Sequence, residues 1–143
     1  MNNTSSADVI NEEITRQEVD ADRRLAMLPK YFPELYLRAE ALIYNWMGRL
    51  CLSYNGGYWH MYELSSGAFY MAPQTEERFE TLCPGFGEAV DLSADAAGLV
   101  ACLYAINQLA NQTEADHYIE FYHRLRDYAF EHAEASKIFR AID

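Results

Sequence analysis

Residues 54–73 carry apolar side chains without the usual alternation of apolar and polar positions. Residues 58–64 and 68–72 are two runs rich in aromatic and long apolar side chains, and Ser65-Ser66-Gly67 joins them. Two such runs around a short loop that ends in Gly predict a β-hairpin. Because neither run has a polar face, we expect the hairpin either to be covered on both faces or to offer one face to a partner.

Two segments have the spacing of long helices. In residues 34–54, apolar side chains recur every three or four positions, which predicts an amphipathic helix with one face on the hairpin. Residues 94–111 follow Ser93, a favourable N-cap, and contain one charged side chain, Asp95. Their apolar side chains extend nearly all the way round, so we expect this segment to be the central buried helix.

A last helix is predicted near the end of the sequence. Thr113 and Asp116 have the spacing of a capping box. The apolar stripe that follows consists of Tyr118, Phe121, Tyr122, Leu125, Tyr128 and Ala129. The pattern allows either a helix that runs to residue 142 or one that breaks near residue 136.

Shorter elements connect these segments. Residues 14–19 alternate weakly and would suit an edge strand. Residues 20–28 place acids before a short helix that Pro29 and Pro33 are expected to stop. Residues 79–82 and 88–92 flank a Pro-Gly turn, which predicts a second, more exposed hairpin.

Together these elements predict an α+β fold. We expect a single domain over residues 14–143, in which a small antiparallel β-sheet with its central hairpin at about residues 57–72 packs with three or four α-helices. Residues 1–13 are polar and small, which is typical of a flexible N-terminal tail. The residues do not indicate the order of the strands.

Charge excludes several classes of protein. The net charge is −11, with 22 acidic against 11 basic side chains, so nucleic acid and anionic lipid would both be repelled. Three cysteines without a close-spaced pair, no signal peptide and no long apolar run favour a reduced, cytoplasmic protein without a membrane span.

Candidate metal ligands have ordinary explanations. Glu114-x-x-His117 and Glu120-x-x-His123 each have the spacing of half a di-iron carboxylate site, but such a site needs its two motifs on facing helices, and here both lie on one helix. No His-Glu-x-x-His or Cys-x-x-Cys motif is present. We therefore expect no metal site and no cofactor.

Cys51 and His60 are the candidates for a nucleophile and its base. Leu50 and Leu52 flank the cysteine on an expected helix, where nothing activates a thiol. A buried structural cysteine is the more ordinary interpretation, and no catalytic residue is expected.

Acidic residues are concentrated in residues 74–95, where six acids and one arginine give a net charge of −5. Regularly placed carboxylates can reproduce the field of DNA phosphates and compete for a DNA-binding groove. An acidic face that only keeps the protein in solution is the simpler alternative.

Several motifs, met in order, resemble the ArdB/KlcA antirestriction proteins. The resemblance extends from about residue 15 to about residue 111. Its motifs are Thr15-Arg16-Gln17-Glu18-Val19, Arg23-Arg24, Leu28-Pro29-x-Tyr31-Phe32, Arg38-Ala39-Glu40-Ala41-Leu42, Tyr54-x-Gly56-Gly57-Tyr58-Trp59, Gly67-x-Phe69-Tyr70-Met71-Ala72-Pro73 and Leu92-Ser93-Ala94-Asp95-Ala96-Ala97-Gly98.

The resemblance implies a small α+β protein of plasmids or other mobile elements that relieves incoming DNA from type I restriction enzymes. It brings no catalytic residues. The expected mechanism is a protein contact with the type I restriction-modification complex or an associated host factor. The contact would interfere with the complex or with its translocation of DNA, without direct binding of nucleic acid. A DNA mimic, and less favourably a Cys/His hydrolase, are the alternatives, and the chain is expected to be a monomer.

The expected contact surface is the acidic set in the middle of the chain. It consists of Glu76, Glu77, Glu80, Glu88 and Asp91.

Overall fold

Five α-helices and five β-strands make up residues 13–143, the part of the chain that this computed structural model describes. The α+β class is confirmed, with five α-helices rather than three or four. In chain order the elements are β1 (Arg16–Glu18), a 3-10 turn (Ala21–Arg23), α1 (Arg24–Tyr31), α2 (Tyr36–Leu50), β2 (Trp59–Leu64), β3 (Phe69–Pro73), β4 (Arg78–Cys83), β5 (Glu88–Ser93), α3 (Ala94–Thr113), α4 (Asp116–Glu131) and α5 (Ala135–Ile142). The expected tail falls on residues that lie, apart from Glu13, outside the described part.

The strands are divided between two antiparallel sheets. One sheet has the order β1-β2-β3, and β4 pairs only with β5 in the other. In the first sheet β2 and β3 form the predicted central hairpin, with Met61 opposite Met71. Strand β1 lies at the edge, where Glu18 is opposite Tyr62, so the prediction of an edge strand is confirmed.

Helices cover the central hairpin on both faces. On one face Trp59 meets Tyr44 of α2 edge to face, with ring centroids 5.0 Å apart. On the other face Tyr70 lies against Tyr128 of α4, with centroids 5.5 Å apart. All five residues of β3 are buried. The sequence allowed either a cover on both faces of the hairpin or one face offered to a partner. The structure shows that helices cover both faces.

The central buried helix is α3, which begins one residue after Ser93 as expected. The Ser93 hydroxyl accepts a hydrogen bond from the Ala96 amide at 3.1 Å and thereby caps the helix. A Cβ atom added to Gly98 would come within 2.5 Å of Ala72 in β3. The absence of a side chain at Gly98 therefore lets α3 pack directly on the hairpin.

The prediction that Pro29 stops the first helix is wrong, because α1 continues to Tyr31. Proline removes one backbone donor, but the last turn is stabilised by tertiary burial of Leu28 and Tyr31. The Phe32 amide also donates to the Leu28 carbonyl at 2.8 Å and completes that turn.

Two other helix ends differ from expectation. Helix α2 ends at Leu50 rather than at residue 54, since Cys51 adopts an extended backbone. The capping box is also wrong: Thr113 still belongs to α3, and its hydroxyl donates to the Leu109 carbonyl at 2.8 Å. Ala115 occupies the N-cap of α4 and has no capping side chain.

The last helix is broken into α4 and α5. Residues 132–134 separate the two, close to the position that the sequence offered as an alternative to an unbroken helix. The backbone at His132 is extended. The side chains of His132 and Glu134 in this segment bond to residues at the start of α3, as described below.

Candidate functional site

The β4–β5 hairpin places part of the expected acidic surface together. Glu80 of β4 lies directly opposite Asp91 of β5, and both side chains are exposed. Glu76 and Glu77 are exposed in the connection that leads into β4. Because like charges opposite one another are unfavourable, a cation nearby is expected, and the structure provides it.

Arginines neutralise two of the five acids. The guanidinium Nε of Arg78 donates to Asp91 at 2.6 Å, and that of Arg140 in α5 donates to Glu88 at 2.6 Å. The hydrogen bond to Asp91 raises the pKa of Arg78. The strongest local negative charge is therefore left at Glu76, Glu77 and Glu80, and Glu88 is directed to α5.

A polar network at the N-terminus of α3 has no counterpart among the sequence-based candidates. The carboxylate of Asp95 accepts from Arg16 Nη1 at 2.7 Å, from the Tyr70 hydroxyl at 2.9 Å and from His132 Nε2 at 2.8 Å. These partners come from β1, β3 and the segment between α4 and α5. Asp95 therefore joins three distant parts of the chain to one helix end.

Glu134 extends this network to the second hairpin. Its carboxylate accepts from the Ser93 amide at 2.9 Å, from the Ser93 hydroxyl at 2.5 Å and from Arg78 at 3.4 Å. The Glu134 amide in turn donates to Nδ1 of His132 at 3.0 Å. The break between α4 and α5 is thus held against the start of α3 by both its histidine and its glutamate.

The network changes the ionisation of its members. Burial alone would raise the pKa of Asp95, but the hydrogen bonds from His132 and Tyr70 and the charge of Arg16 bring it below its ordinary value. The pKa of Tyr70 is raised, first by burial and then by the charge of Asp95. Asp95 is therefore an ion, whereas Tyr70 keeps its proton.

The geometry fits a structural role better than acid–base catalysis. His132 donates through Nε2 to Asp95 and accepts through Nδ1 from Glu134, so neither ring nitrogen is left to exchange a proton with a substrate. Arg16 and Asp95 both line two open clefts of about 440 and 430 Å³. His132 lines the second of these clefts, so a small molecule could reach it, but both of its ring nitrogens already form hydrogen bonds within the protein.

The sequence carries little signal for this network. The acid at Asp95 has a local signal, the favourable position in the first turn of a helix. Arg16 and His132 have none, because their partner lies 79 and 37 residues away.

The structure does not bring Cys51 and His60 together as a catalytic pair. The Cys51 sulfur lies 3.4 Å from the Thr81 hydroxyl, and burial raises the pKa of the thiol. His60 is bonded through Nδ1 to Glu18 at 2.9 Å on the sheet surface. Because the thiolate is disfavoured and its base is directed elsewhere, this pair cannot act as a nucleophile and base.

The histidine of the first candidate metal motif bonds to the backbone of another helix. His117 bonds through Nε2 to the Tyr31 carbonyl at 2.8 Å. Within residues 13–143, no group of three or more His, Cys, Asp and Glu side chains has an arrangement that could hold a metal ion. None of the helices in that range is both long and apolar enough to cross a membrane.

These features define a small α+β protein with a structural polar network at one helix end and an exposed acidic surface on its second hairpin. Residues 52–143 match the family model described as "Antirestriction protein". The chain belongs to the antirestriction protein family.

Individual relatives extend the match over most of the chain. An antirestriction protein KlcA of Escherichia coli is 51% identical over 137 residues, which cover 91% of this chain and 93% of the relative. YfjX of Escherichia coli strain K12, whose function is uncharacterised, is 36% identical over 135 residues, covering 92% of this chain and 89% of the relative.

A solved structure shares the fold. It is 50% identical and aligns with a TM-score of 0.84 over 93% of this chain and 99% of the other. The solved structure is described with the KlcA and ArdB proteins, which are said to show a novel fold. They are also said to have antirestriction activity against type I DNA restriction systems in vivo but not in vitro. The resemblance to the ArdB/KlcA family is thereby confirmed.

Proposed function

We propose that this chain relieves type I restriction of incoming DNA through contacts with protein, without catalysis and without binding DNA. The observation that carries the proposal is the report on KlcA and ArdB, whose activity is found in vivo but not in vitro. A protein that acts only in the cell needs something that purified reactions lack. An associated host factor, or the translocation of DNA by the restriction complex under cellular conditions, would meet that need.

The acidic surface supports a protein partner. Glu76, Glu77 and Glu80 are exposed and none of them forms an ion pair within residues 13–143. Unpaired carboxylates of this kind would attract basic side chains on the surface of a protein partner. The contact surface proposed here is that of Glu76, Glu77 and Glu80, with Asp91 and Glu88 beside it in ion pairs.

A DNA mimic is the second candidate, and the net charge of −11 favours it. Two observations weigh against it. Arg78 and Arg140 neutralise Asp91 and Glu88, which breaks the regular spacing that a phosphate-like field requires. A direct competitor for the DNA-binding groove would also act on purified enzyme, whereas KlcA and ArdB are described as inactive in vitro.

The test is the plating efficiency of unmodified phage on cells with and without a type I system, with the protein expressed and DNA methylation followed in parallel. We expect efficient plating on the restricting host with methylation preserved, since cleavage or translocation is blocked and DNA binding is not. Loss of methylation together with restriction would favour the DNA mimic. Plating unchanged from cells without the protein would contradict the proposed function altogether.

Direct DNA binding is tested separately by gel shift with duplex DNA at low salt. The net charge predicts no complex. A complex that dissociates as salt is added would contradict the exclusion of nucleic acid.

A further inference from the structure

His132 is held between a carboxylate on one side and a backbone amide on the other. Its Nε2 lies 2.8 Å from Oδ2 of Asp95, and its Nδ1 lies 3.0 Å from the amide nitrogen of Glu134. A backbone amide can only donate a hydrogen bond, so Nδ1 must carry a lone pair and Nε2 must carry the proton. The site therefore holds the neutral imidazole, in one tautomer.

A proton on Nδ1 is incompatible with this arrangement. The imidazolium is a donor at both nitrogens, so its Nδ1–H and the Glu134 amide would face each other as two donors. The bond from Nε2 to Asp95, by contrast, becomes stronger when the ring is charged. Protonation therefore leaves the ring attached to α3 and breaks its bond to the segment between α4 and α5.

Solvent can deliver this proton. The side chain of His132 is only 10% exposed, but it lines the open cleft of about 430 Å³ beside the Arg16–Asp95 pair. Glu13 and Glu131 line the same cleft. Once the bond to the Glu134 amide is broken, a charged ring would have carboxylates and solvent on this side.

Charges of both signs surround the ring and its two partners. They belong to Glu13, Arg16 of β1, Arg78 of β4, Asp95 of α3, Glu131 of α4, and Glu134. Two tyrosines complete the surroundings: Tyr70 of β3 bonds to Asp95, and the ring of Tyr128 in α4 lies edge-on to His132, with ring centroids 6.3 Å apart.

The two carboxylates closest to the ring stay ionised. Burial opposes ionisation of both, but the hydrogen bond from His132 lowers the pKa of Asp95, and the hydrogen bonds from Ser93 lower the pKa of Glu134. Histidine is the side chain that ordinarily changes charge between about pH 5 and 8. A change of charge in this network within that range therefore falls on His132.

Glu134 connects this segment to the open end of the second hairpin. Its carboxylate accepts from the Ser93 amide at 2.9 Å, from the Ser93 hydroxyl at 2.5 Å and from Arg78 at 3.4 Å. Ser93 is the last residue of β5 and lies opposite Arg78, the first residue of β4. One carboxylate thus holds both strand ends, two positions away from Glu80 and Asp91 of the acidic surface.

We propose that His132 is a pH switch for the acidic hairpin: protonation at Nδ1 releases the Glu134 amide, and the Glu134 carboxylate then loosens its hold on the ends of β4 and β5. The contact surface of Glu76, Glu77 and Glu80 becomes less ordered, so its binding to a protein partner weakens as pH falls. This regulatory role rests on the proposed function, whereas the switch itself is a property of the folded chain.

NMR of the full chain tests the switch. At neutral pH the ring nitrogens of His132 should show a protonated Nε2 and an unprotonated Nδ1. As pH falls from about 8 to 5, the amides of Glu134 and Ser93 should shift with the same midpoint as the His132 ring. Exchange of the Glu134 amide with solvent, corrected for the intrinsic effect of pH, should rise roughly tenfold, as expected for the loss of one hydrogen bond. Different midpoints, or a neutral ring protonated at Nδ1, would overturn the proposal.

A matched pair of histidine variants assigns the response to one ring. His132→Gln keeps a donor for Asp95 but does not titrate, so the amide of Ser93 should no longer respond in this range of pH. His123→Gln removes an exposed histidine of α4 and should respond as the wild type does. A response that persists in His132→Gln or disappears in His123→Gln would contradict the switch. If His132→Gln does not fold, the midpoints of the wild-type chain decide.

The variant Glu134→Ala separates the two steps of the coupling. It keeps the backbone amide and removes the carboxylate that holds the hairpin. The amide at position 134 should therefore still respond to protonation of His132, and the amides of Ser93 and Arg78 should not. An unchanged response of the hairpin would show that the coupling does not pass through Glu134, and the proposal would fail.

The role in the cell is read out by phage plating. His132→Lys can donate to Asp95 but cannot accept from the Glu134 amide at any pH, so it should reduce relief of restriction at least tenfold. Glu134→Ala should do the same without a new charge, and His123→Gln should retain relief. Full relief by either of the first two variants, when folded by circular dichroism, would overturn the regulatory role. If the wild-type chain gives no relief, the proposed function fails, and the NMR titration still decides whether His132 controls the hairpin.

Discussion

His132 donates a hydrogen bond from Nε2 to Oδ2 of Asp95 over 2.8 Å and so fastens the break between α4 and α5 to the first turn of α3. The same carboxylate holds Arg16 of β1 and Tyr70 of β3. Only an ionised Asp95 can accept all of these bonds at once. A single side chain therefore fixes the relative positions of the edge strand, the hairpin and the last two helices.

Replacement of this carboxylate should be costly. Asp95→Asn offers one acceptor oxygen and no charge, which leaves Arg16 or His132 without its partner. We expect the free energy of unfolding to fall by about 1–3 kcal/mol. Urea denaturation at neutral pH measures it, with the exposed Asp127→Asn as the control that should change stability by less than about 0.5 kcal/mol. An equal effect of the two variants would contradict the role given to Asp95.

The close contact between α3 and β3 predicts opposite effects for two Gly→Ala substitutions. An added methyl group at Gly98 would overlap Ala72 and the Met71 carbonyl, so Gly98→Ala should destabilise the fold by about 1–3 kcal/mol. Gly48 lies exposed inside α2 with nothing within 4 Å of an added Cβ, so Gly48→Ala should stabilise by about 0.5–1 kcal/mol. Thermal unfolding of both variants distinguishes a packing effect from helix propensity.

Acid should weaken the fold through Glu63. Hydrogen bonds from Lys30 and Tyr31, with a further one from Arg23, lower the pKa of this carboxyl to about 2 although burial opposes them. Since the folded state holds the carboxylate more strongly than the unfolded chain does, its stabilisation is present above the ordinary pKa of 4.5 and is lost as pH falls towards 2.

The variant Glu63→Gln tests this dependence. It should be less stable than the wild type at neutral pH, and the difference between the two should shrink as pH falls from 4.5 towards 2. Urea midpoints measured across that range provide the comparison. A difference that does not change with pH would assign the effect of Glu63 to packing rather than to charge.

Charge reversal on the second hairpin tests the proposed contact surface. Glu77→Lys/Glu80→Lys should lower relief of restriction at least tenfold while the fold stays intact by circular dichroism, because both side chains are exposed. Glu120→Lys/Asp127→Lys changes the net charge by the same amount on α4 and serves as the control. If the two double variants act alike, net charge rather than a specific surface governs activity.

Removal of the candidate nucleophile should leave activity unchanged. Cys51 is buried beside Thr81, and His60 is bonded to Glu18, so Cys51→Ala/His60→Ala should relieve restriction as the wild type does. The loss of the sulfur from a buried site should lower stability by about 1 kcal/mol. Phage plating with expression levels matched by immunoblot is the measurement, and abolished relief at equal expression would restore the hydrolase alternative.

Local sequence signals were sufficient for elements whose causes are local. The turn at Ser65-Ser66-Gly67, the Pro-Gly turn and the cap at Ser93 each depend on residues within a few positions, and the structure has both hairpins and α3 where these signals predict them. The continuation of α1 past Pro29 was not predictable in this way, since it depends on burial of Tyr31 against Phe69, 38 positions further along, with ring centroids 5.0 Å apart.

The candidate site shows the same limit. Its acids could be named from composition, but the neutralisation of Glu88 by Arg140 depends on the return of α5 to the second hairpin. Leu25 of α1 is 94% exposed and Leu37 of α2 is 69% exposed. The sequence could not show this, because helical spacing does not indicate which apolar positions remain without a cover.

Helix α5 has a consequence for synthesis of the protein. Ile138 and Ala141 are buried, the Tyr104 hydroxyl of α3 donates to the Ala141 carbonyl at 2.7 Å, and Arg140 pairs with β5. Strand β1, near the other end of the described chain, is held to α3, because Arg16 of β1 bonds to Asp95 of α3. While residues 135–142 are still inside the ribosome, the emerging chain lacks part of its core. Folding is therefore expected to be completed only after translation of this segment, and until then the nascent protein exposes apolar surface to chaperones.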